Sequence, residues 1–225
     1  MTTGLRETVL GIINRVERKL NVVPSASLTQ TKMTRELLDM LNETIDEISD
    51  AGNWQEYFRT VLVTAQSSVA LYEVAVSGNV KNVQEIIYGS AVAPLQWADM
   101  QDLRQLNRIG NYGEPRQVAI EGVNASSGNP NFRVAPIPAS SQTGAFEILY
   151  FQKPGLYGTS DAAQVVVFPS NLVMQGLYAK ALLKESGGAP TNEYSIAYSE
   201  FIRMRREVNN RLNADVSRDI YFRPG

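Results

Sequence analysis

The chain has 225 residues, of which 44% are hydrophobic and 20% charged, enough apolar material for one core or one core with a large insertion and too much for general disorder. Its 21 basic and 23 acidic residues leave a net charge of -2, so no overall basic field gathers nucleic-acid phosphates. Cysteine and histidine are both absent. Disulfides, thiolate nucleophiles, imidazole ligands and every Ser-His or Cys-His arrangement are thereby excluded, which removes most enzyme classes.

No apolar run approaches the roughly 20 residues of a bilayer span, and the segment from Met1 to Glu7 lacks the basic-then-apolar layout of a secretory signal. The expectation is a protein with no membrane partner, cytoplasmic where it is made.

Leu5, Val9, Ile12, Ile13, Val16 and Leu20 step by three and four, which predicts an amphipathic helix over residues 5–20 that Pro24 ends. Leu37, Leu38, Leu41, Ile45 and Ile48 predict a second over residues 33–49. Its outer face carries Glu36, Asp39, Glu43, Asp46, Glu47 and Asp50, and Gly52-Asn53 closes it.

From Trp54 the period changes to two, the spacing of strands. Arg59–Ala65 and Val69–Val76 read as a hairpin around Gln66-Ser67-Ser68, and Val83–Tyr88 as another strand. After Pro94, the stretch Leu95–Arg108 reads as a short helix carrying Trp97, Met100, Leu103 and Leu106, stopped by Gly110 and Gly113. Arg116–Glu121, Asn131–Ala135 and Ala145–Gln152 read as three further strands between Gly, Ser, Asn and Pro-rich turns. In the last, Phe146, Ile148 and Tyr150 alternate with Glu147, Leu149 and Phe151, so a strand covered on both faces is expected.

Helical spacing returns after Pro169, with Val173, Leu177 and Ala181 in one stripe and Met174, Tyr178 and Leu182 beside it, until Gly187-Gly188. Pro190-Thr191, with Glu193 in the first turn, opens a final helix whose inward positions are Ala197, Phe201, Met204, Val208 and Leu212. Asn213–Gly225 reads as an extended tail.

The predicted fold class is therefore α+β: a helical bundle from the N- and C-terminal helices, with an antiparallel β-rich domain inserted between them. The expected parts are residues 1–53 and 167–212 as the two halves of the bundle, 54–166 as the insertion and 213–225 as the tail.

No glycine-rich phosphate loop is present, and the acidic face of the second helix reads as a solvated surface opposite an apolar stripe, so no catalytic, cofactor or metal residues are assigned. Arg203, Arg205 and Arg206 form a compact basic cluster, with Arg211 nearby. Two readings stand: a solvated helix face, or a contact with acidic neighbouring subunits or passing DNA phosphates. Tyr221 and Phe222 lie in a segment too short and polar to build a core, which asks for a neighbour to cover them.

Several segments then occur in a familiar order: Ile48-Ser49-Asp50-Ala51-Gly52-Asn53-Trp54, Ala93-Pro94-Leu95, and Gly113-Glu114-Pro115-Arg116-Gln117-Val118-Ala119-Ile120. They continue through Phe132-Arg133-Val134-Ala135-Pro136-Ile137-Pro138, Phe146–Pro154, Val167-Phe168-Pro169 and Gly176-Leu177-Tyr178-Ala179. In this order the chain, over about residues 30–212, resembles the head-to-tail adaptor family of short-tailed bacteriophages, also called tail tubular or head-completion proteins.

The resemblance implies a non-enzymatic virion protein at the head-tail junction, forming a ring, usually twelvefold, that docks under the portal protein. A tail nozzle or tail tube protein would bind on the other side, and packaged DNA would pass through the channel. It also implies a carboxy-terminal segment reaching the portal or a neighbouring subunit, which assigns Tyr221, Phe222 and Arg223 as contact residues. Two alternatives differ in class: another connector, such as a stopper or tail terminator, and a hydrolase built only from carboxylates.

Overall fold

The computed structural model describes residues 6–76, 78–89 and 93–220, with the backbone alone over 211–220. In chain order the elements are α1 (Val9–Lys19), α2 (Lys32–Asp50), β1 (Phe58–Ala65), β2 (Leu71–Glu73), β3 (Val80–Tyr88), β4 (Gln96–Trp97), α3 (Met100–Arg108), β5 (Tyr112–Gly113), β6 (Gln117–Val123), β7 (Pro130–Ala135), β8 (Ile137–Pro138), β9 (Gln142–Gln152), α4 (Ser170–Glu185) and α5 (Asn192–Ile220). The fold class is α+β. The chain divides into two compact units, with the boundaries between Glu56 and Tyr57 and between Lys153 and Pro154.

The helical unit contains α1, α2, α4 and α5, three of them started by a threonine hydroxyl that accepts from the first turn. Thr8 Oγ1 accepts from Gly11 N at 3.1 Å, Thr31 Oγ1 from Thr34 N at 3.0 Å, and Thr191 Oγ1 from Tyr194 N at 3.1 Å. The cap at Thr8 is why α1 begins at Val9, later than the apolar spacing alone suggests. Asn21, at φ 57°, ends it before Pro24 is reached. Helix α4 is apolar on most sides, and α1, α2 and α5 all pack against it. At its midpoint stands Gly176, where a Cβ would lie 2.6 Å from Thr44 Cγ2 and 2.7 Å from Phe201 Cε2.

The connection between α1 and α2 is organised by a buried carboxylate. Glu17, 1% exposed, accepts from Ser25 N and Ser25 Oγ, each at 2.7 Å, and from Thr34 Oγ1 at 3.1 Å. Three donors replace the water that the carboxyl oxygens give up on burial.

Two segments fall differently from the sequence reading. Residues 154–166, placed there with the strands, lie in the helical unit: Asn42 Nδ2 donates to Tyr157 O at 3.0 Å and Tyr157 N to Asn42 Oδ1 at 2.9 Å. Val9 N donates to Gln164 O and Val166 N to Glu7 O, both at 2.9 Å, so the segment is fixed by backbone bonds that leave no periodicity in sequence. Residues 213–220, read as the start of an extended tail, continue α5 to Ile220. Val208, Leu212, Val216 and Ile220 recur every four residues, a helical spacing that continues two steps beyond Leu212. Tyr221, Phe222 and Arg223 lie outside the described residues.

The β unit is built from two main sheets, ordered β1-β9-β3 and β2-β7-β6-β4, with β5 and β8 paired separately. Tyr72, Phe132, Val134 and Val118 from the second sheet meet Ile86, Phe146 and Ile148 from the first in one core. The Phe132 and Phe146 rings sit edge to face at 5.3 Å. As the central strand of its sheet, β9 buries Phe146, Ile148 and Tyr150, and also Phe151, which lies against Phe58 with 5.2 Å between ring centroids.

The expected hairpin does not form, because β1 pairs with β9 and β2 with β7. Gln66–Ala70 instead carries the chain between sheets, with Ser67 N donating to Ser141 Oγ at 2.9 Å and Ser68 N to Pro138 O at 3.0 Å. Pairing is antiparallel except at β4 with β6 and β5 with β8. Trp97, expected on a helix, lies in β4 opposite Val118 and is 50% exposed; Asp99 caps α3 only after it.

Candidate assembly surfaces

The basic cluster on α5 is divided by its own neighbours. Arg203 bonds Glu200 through Nε at 2.9 Å and Nη2 at 2.6 Å, and also pairs with Glu207. Its hydrogen bond holds the Glu200 carboxyl below the usual range, and the same contacts raise Arg203 further. Arg205 turns inward across the bundle, donating to Glu47 Oε1 at 2.7 Å with its guanidinium 5.5 Å from the Phe201 ring centroid. Arg206 is exposed and has no ion pair among the described residues. The cluster is thus one surface pair network, one strut and one unengaged cation.

The acidic face of α2 is likewise partly consumed. Glu43 and Glu47 lie 3.4 and 3.7 Å from Lys180 Nζ, and Glu36 lies 2.9 Å from Lys184 Nζ. The Lys184 hydrogen bond, ahead of the charges of Lys184 and Lys32, holds the Glu36 carboxyl low. Among the described residues no group of three or more acidic side chains is placed to hold a metal ion.

Between α2 and α4 lies a shallow cleft of about 320 Å³ with an apolar floor of Met33, Leu37, Met40 and Ala181. Glu36 and Glu185 stand on its rim, beside Lys184. In the β unit, Glu121 on β6 is held between Arg133 on β7 and Arg104 on α3, which pins that helix to the sheet. The Arg133 hydrogen bond is the main cause of the depressed Glu121 carboxyl, with Arg104 adding to it. Exposed apolar side chains of this unit include Trp97, Ile109, Tyr112, Ile120 and Val123.

These are two compact units with exposed apolar and charged surfaces, and the sequence as a whole matches one family, described as SU10 adaptor protein, over residues 7–222. The chain belongs to the SU10 adaptor protein family. This is a family of phage head-tail adaptors, and membership implies a structural, non-enzymatic role in a virion alongside portal and tail components. No curated protein matches the chain. No helix among the described residues is long and apolar enough to cross a membrane.

Three features of this adaptor were missed in the sequence. Glu17 carried a signal, standing four residues after Ile13 on the inward stripe of α1, where a carboxylate must find donors. The cleft carried a weaker one, in the methionines Met33 and Met40 one helical repeat apart on α2. The Arg104-Glu121-Arg133 arrangement carried none, because it joins three elements distant in sequence.

Proposed function

We propose that this adaptor assembles as a closed ring, twelvefold in number, that docks beneath the portal of a short-tailed phage and joins the capsid to a tail nozzle or tail tube protein. The observation that carries the reading is the family match, which runs through both units of the chain, from residue 7 to residue 222. A ring of identical subunits needs two different complementary patches on each, related by a rotation that closes. Exposed Ile196 and Tyr198 on α5 and exposed Trp97 and Ile120 on the β unit are apolar surface of the kind such contacts use. A net charge of -2 suits a conduit, because a strongly basic wall would hold passing DNA by its phosphates.

In this reading Arg206 and the Tyr221-Phe222-Arg223 segment face partners: the portal, the next subunit or the DNA in the channel. Co-sedimentation of the purified chain with portal rings tests it. Comigration at about one copy per portal subunit is the expected result, and portal rings that sediment free of the chain at micromolar concentration contradict it.

A further inference from the structure

We infer that, free of the portal, two copies of this chain pair antiparallel through the open edge of β1, about a twofold axis at Leu62. The inference concerns the chain before it docks and does not rest on the ring reading.

The other outer strands of the two main sheets are blunted, as sheet edges usually are. β2 has three residues and β4 has two. β3 carries extra residues at two shifts of register, and its outer side is met by Leu95 N, which donates to Ile86 O at 2.7 Å. Beyond β4, β6 bulges between Ile120 and Val123, with Gly122 at φ 74°. β1 differs from all of these. It runs for eight residues, pairs only with β9 among the described residues, and carries neither charge nor proline from Thr60 to Ala65. The irregular step between Val63 and Ala65 has its extra residues in β9.

Strand alternation shows which backbone groups that edge offers. Ala145 O accepts from Gly89 N at 2.7 Å and Lys153 N donates to Asn79 O at 2.8 Å, so the odd-numbered residues of β9 bond towards β3 and the even-numbered ones towards β1. Phe146 and Ile148 stand opposite Val63 and Val61, which therefore bond to β9. Thr60, Leu62 and Thr64, between and beside them, turn their N–H and C=O groups to the open side.

The sequence of the edge specifies its complement, because Thr60-Val61-Leu62-Val63-Thr64 reads the same in both directions. Antiparallel pairing about Leu62 sets Thr60 opposite Thr64 of the partner subunit, Val61 opposite Val63 of the partner subunit, and Leu62 opposite Leu62 of the partner subunit. Arg59 falls opposite Ala65 of the partner subunit, so no like charges meet. The outward groups of Thr60, Leu62 and Thr64 then face their counterparts as hydrogen-bonded pairs, with matched side chains at each step. On the outer face Leu62, 63% exposed, gains an apolar neighbour. On the inner face Val61 and Val63, which pack against the β core, continue that core into the second copy. Such a contact is complete at two copies and joins no neighbours around a single ring axis, so it belongs to the chain free of the portal.

A pairing this short lies at the low end of interface sizes, and rising concentration should drive it. Sedimentation velocity of the full chain without portal, from about 2 to about 200 µM, should show monomer giving way to dimer. Leu62→Lys should weaken dimerisation about tenfold or more and leave the circular dichroism unchanged. Oxidation reads the register, since the chain has no cysteine. Facing Cα atoms of a hydrogen-bonded antiparallel pair lie about 5.5 Å apart, within disulfide reach. Leu62→Cys should therefore link to its own copy, and Thr60→Cys to Thr64→Cys in a mixture. Thr64→Cys alone, with its two sites about 13 Å apart along the strands, should link about tenfold less. A native chain that stays monomeric throughout overturns the inference, as does a Leu62→Lys chain that dimerises equally well. Linking of Thr64→Cys alone at the level of Leu62→Cys also overturns it, and none of these results touches the ring reading.

Discussion

Arg205 on α5 donates to Glu47 on α2 across 2.7 Å, with its guanidinium beside the Phe201 ring, so a residue of the basic cluster acts as a strut inside the helical unit. Arg206, its neighbour in sequence, is exposed and unengaged among the described residues. The two should separate stability from assembly. Arg205→Ala is expected to cost about 1 kcal/mol in urea unfolding, the scale of a partly exposed ion pair plus a cation-π contact. Arg206→Ala should leave stability within about 0.5 kcal/mol and weaken portal binding instead. Equal stability losses in both variants would contradict the division.

Gly176 brings α4 close to both α2 and α5, and no side chain fits there without movement of Thr44 or Phe201. Gly176→Ala raises helix propensity by about 1 kcal/mol, yet crowding of a packed core costs about 1 to 3 kcal/mol. The expected outcome is net destabilisation, seen as a lower urea midpoint with an unchanged slope. A higher midpoint would show that the three helices have room to separate.

Glu17 is the buried acceptor that fixes the α1–α2 connection. Glu17→Ala leaves Ser25 N, Ser25 Oγ and Thr34 Oγ1 without that acceptor, and about 2 kcal/mol of stability should be lost. Hydrogen exchange should rise first at Ser25, whose amide donates to the carboxylate. Unchanged protection there would mean that the connection is held by other contacts.

Much of the fold was legible because period and burial agree. Ile12, Ile13 and Val16, then Leu37, Leu41 and Ile45, announce their helices by spacing and are all buried. Phe146, Ile148 and Tyr150 did the same for β9. Strand partners were not legible. Alternation in β1 and β2 says that each is a strand, yet Gln66-Ser67-Ser68 suits a crossing between sheets as well as a tight turn, and long-range pairing with β9 and β7 decides it. The division of the arginines was hidden for a related reason. Arg203, Arg205 and Arg206 share one helix, but their engagement depends on Glu47 from α2 and on which way each side chain leaves the helix.

Glu121 makes the β unit sensitive to acid. Its folded carboxyl is held below its usual value by Arg133 and then Arg104, so the associated stability is fully present above the unfolded carboxylate value of about 4.3 and is lost as pH falls through the folded one. Thermal melts of the native chain and Glu121→Gln should therefore differ most at neutral pH and converge in acid. A gap that stays constant from pH 7 to pH 3 would show that the carboxylate charge is not what holds α3 to the sheet.

Copies of this chain are expected to close around the portal axis. Single-particle electron microscopy of portal rings mixed with the full chain measures that directly. The expected image has an added ring of density on one face of the portal, with twelvefold symmetry and an open central channel. Portal particles identical to those without the chain, beside free monomers of 225 residues, would contradict it.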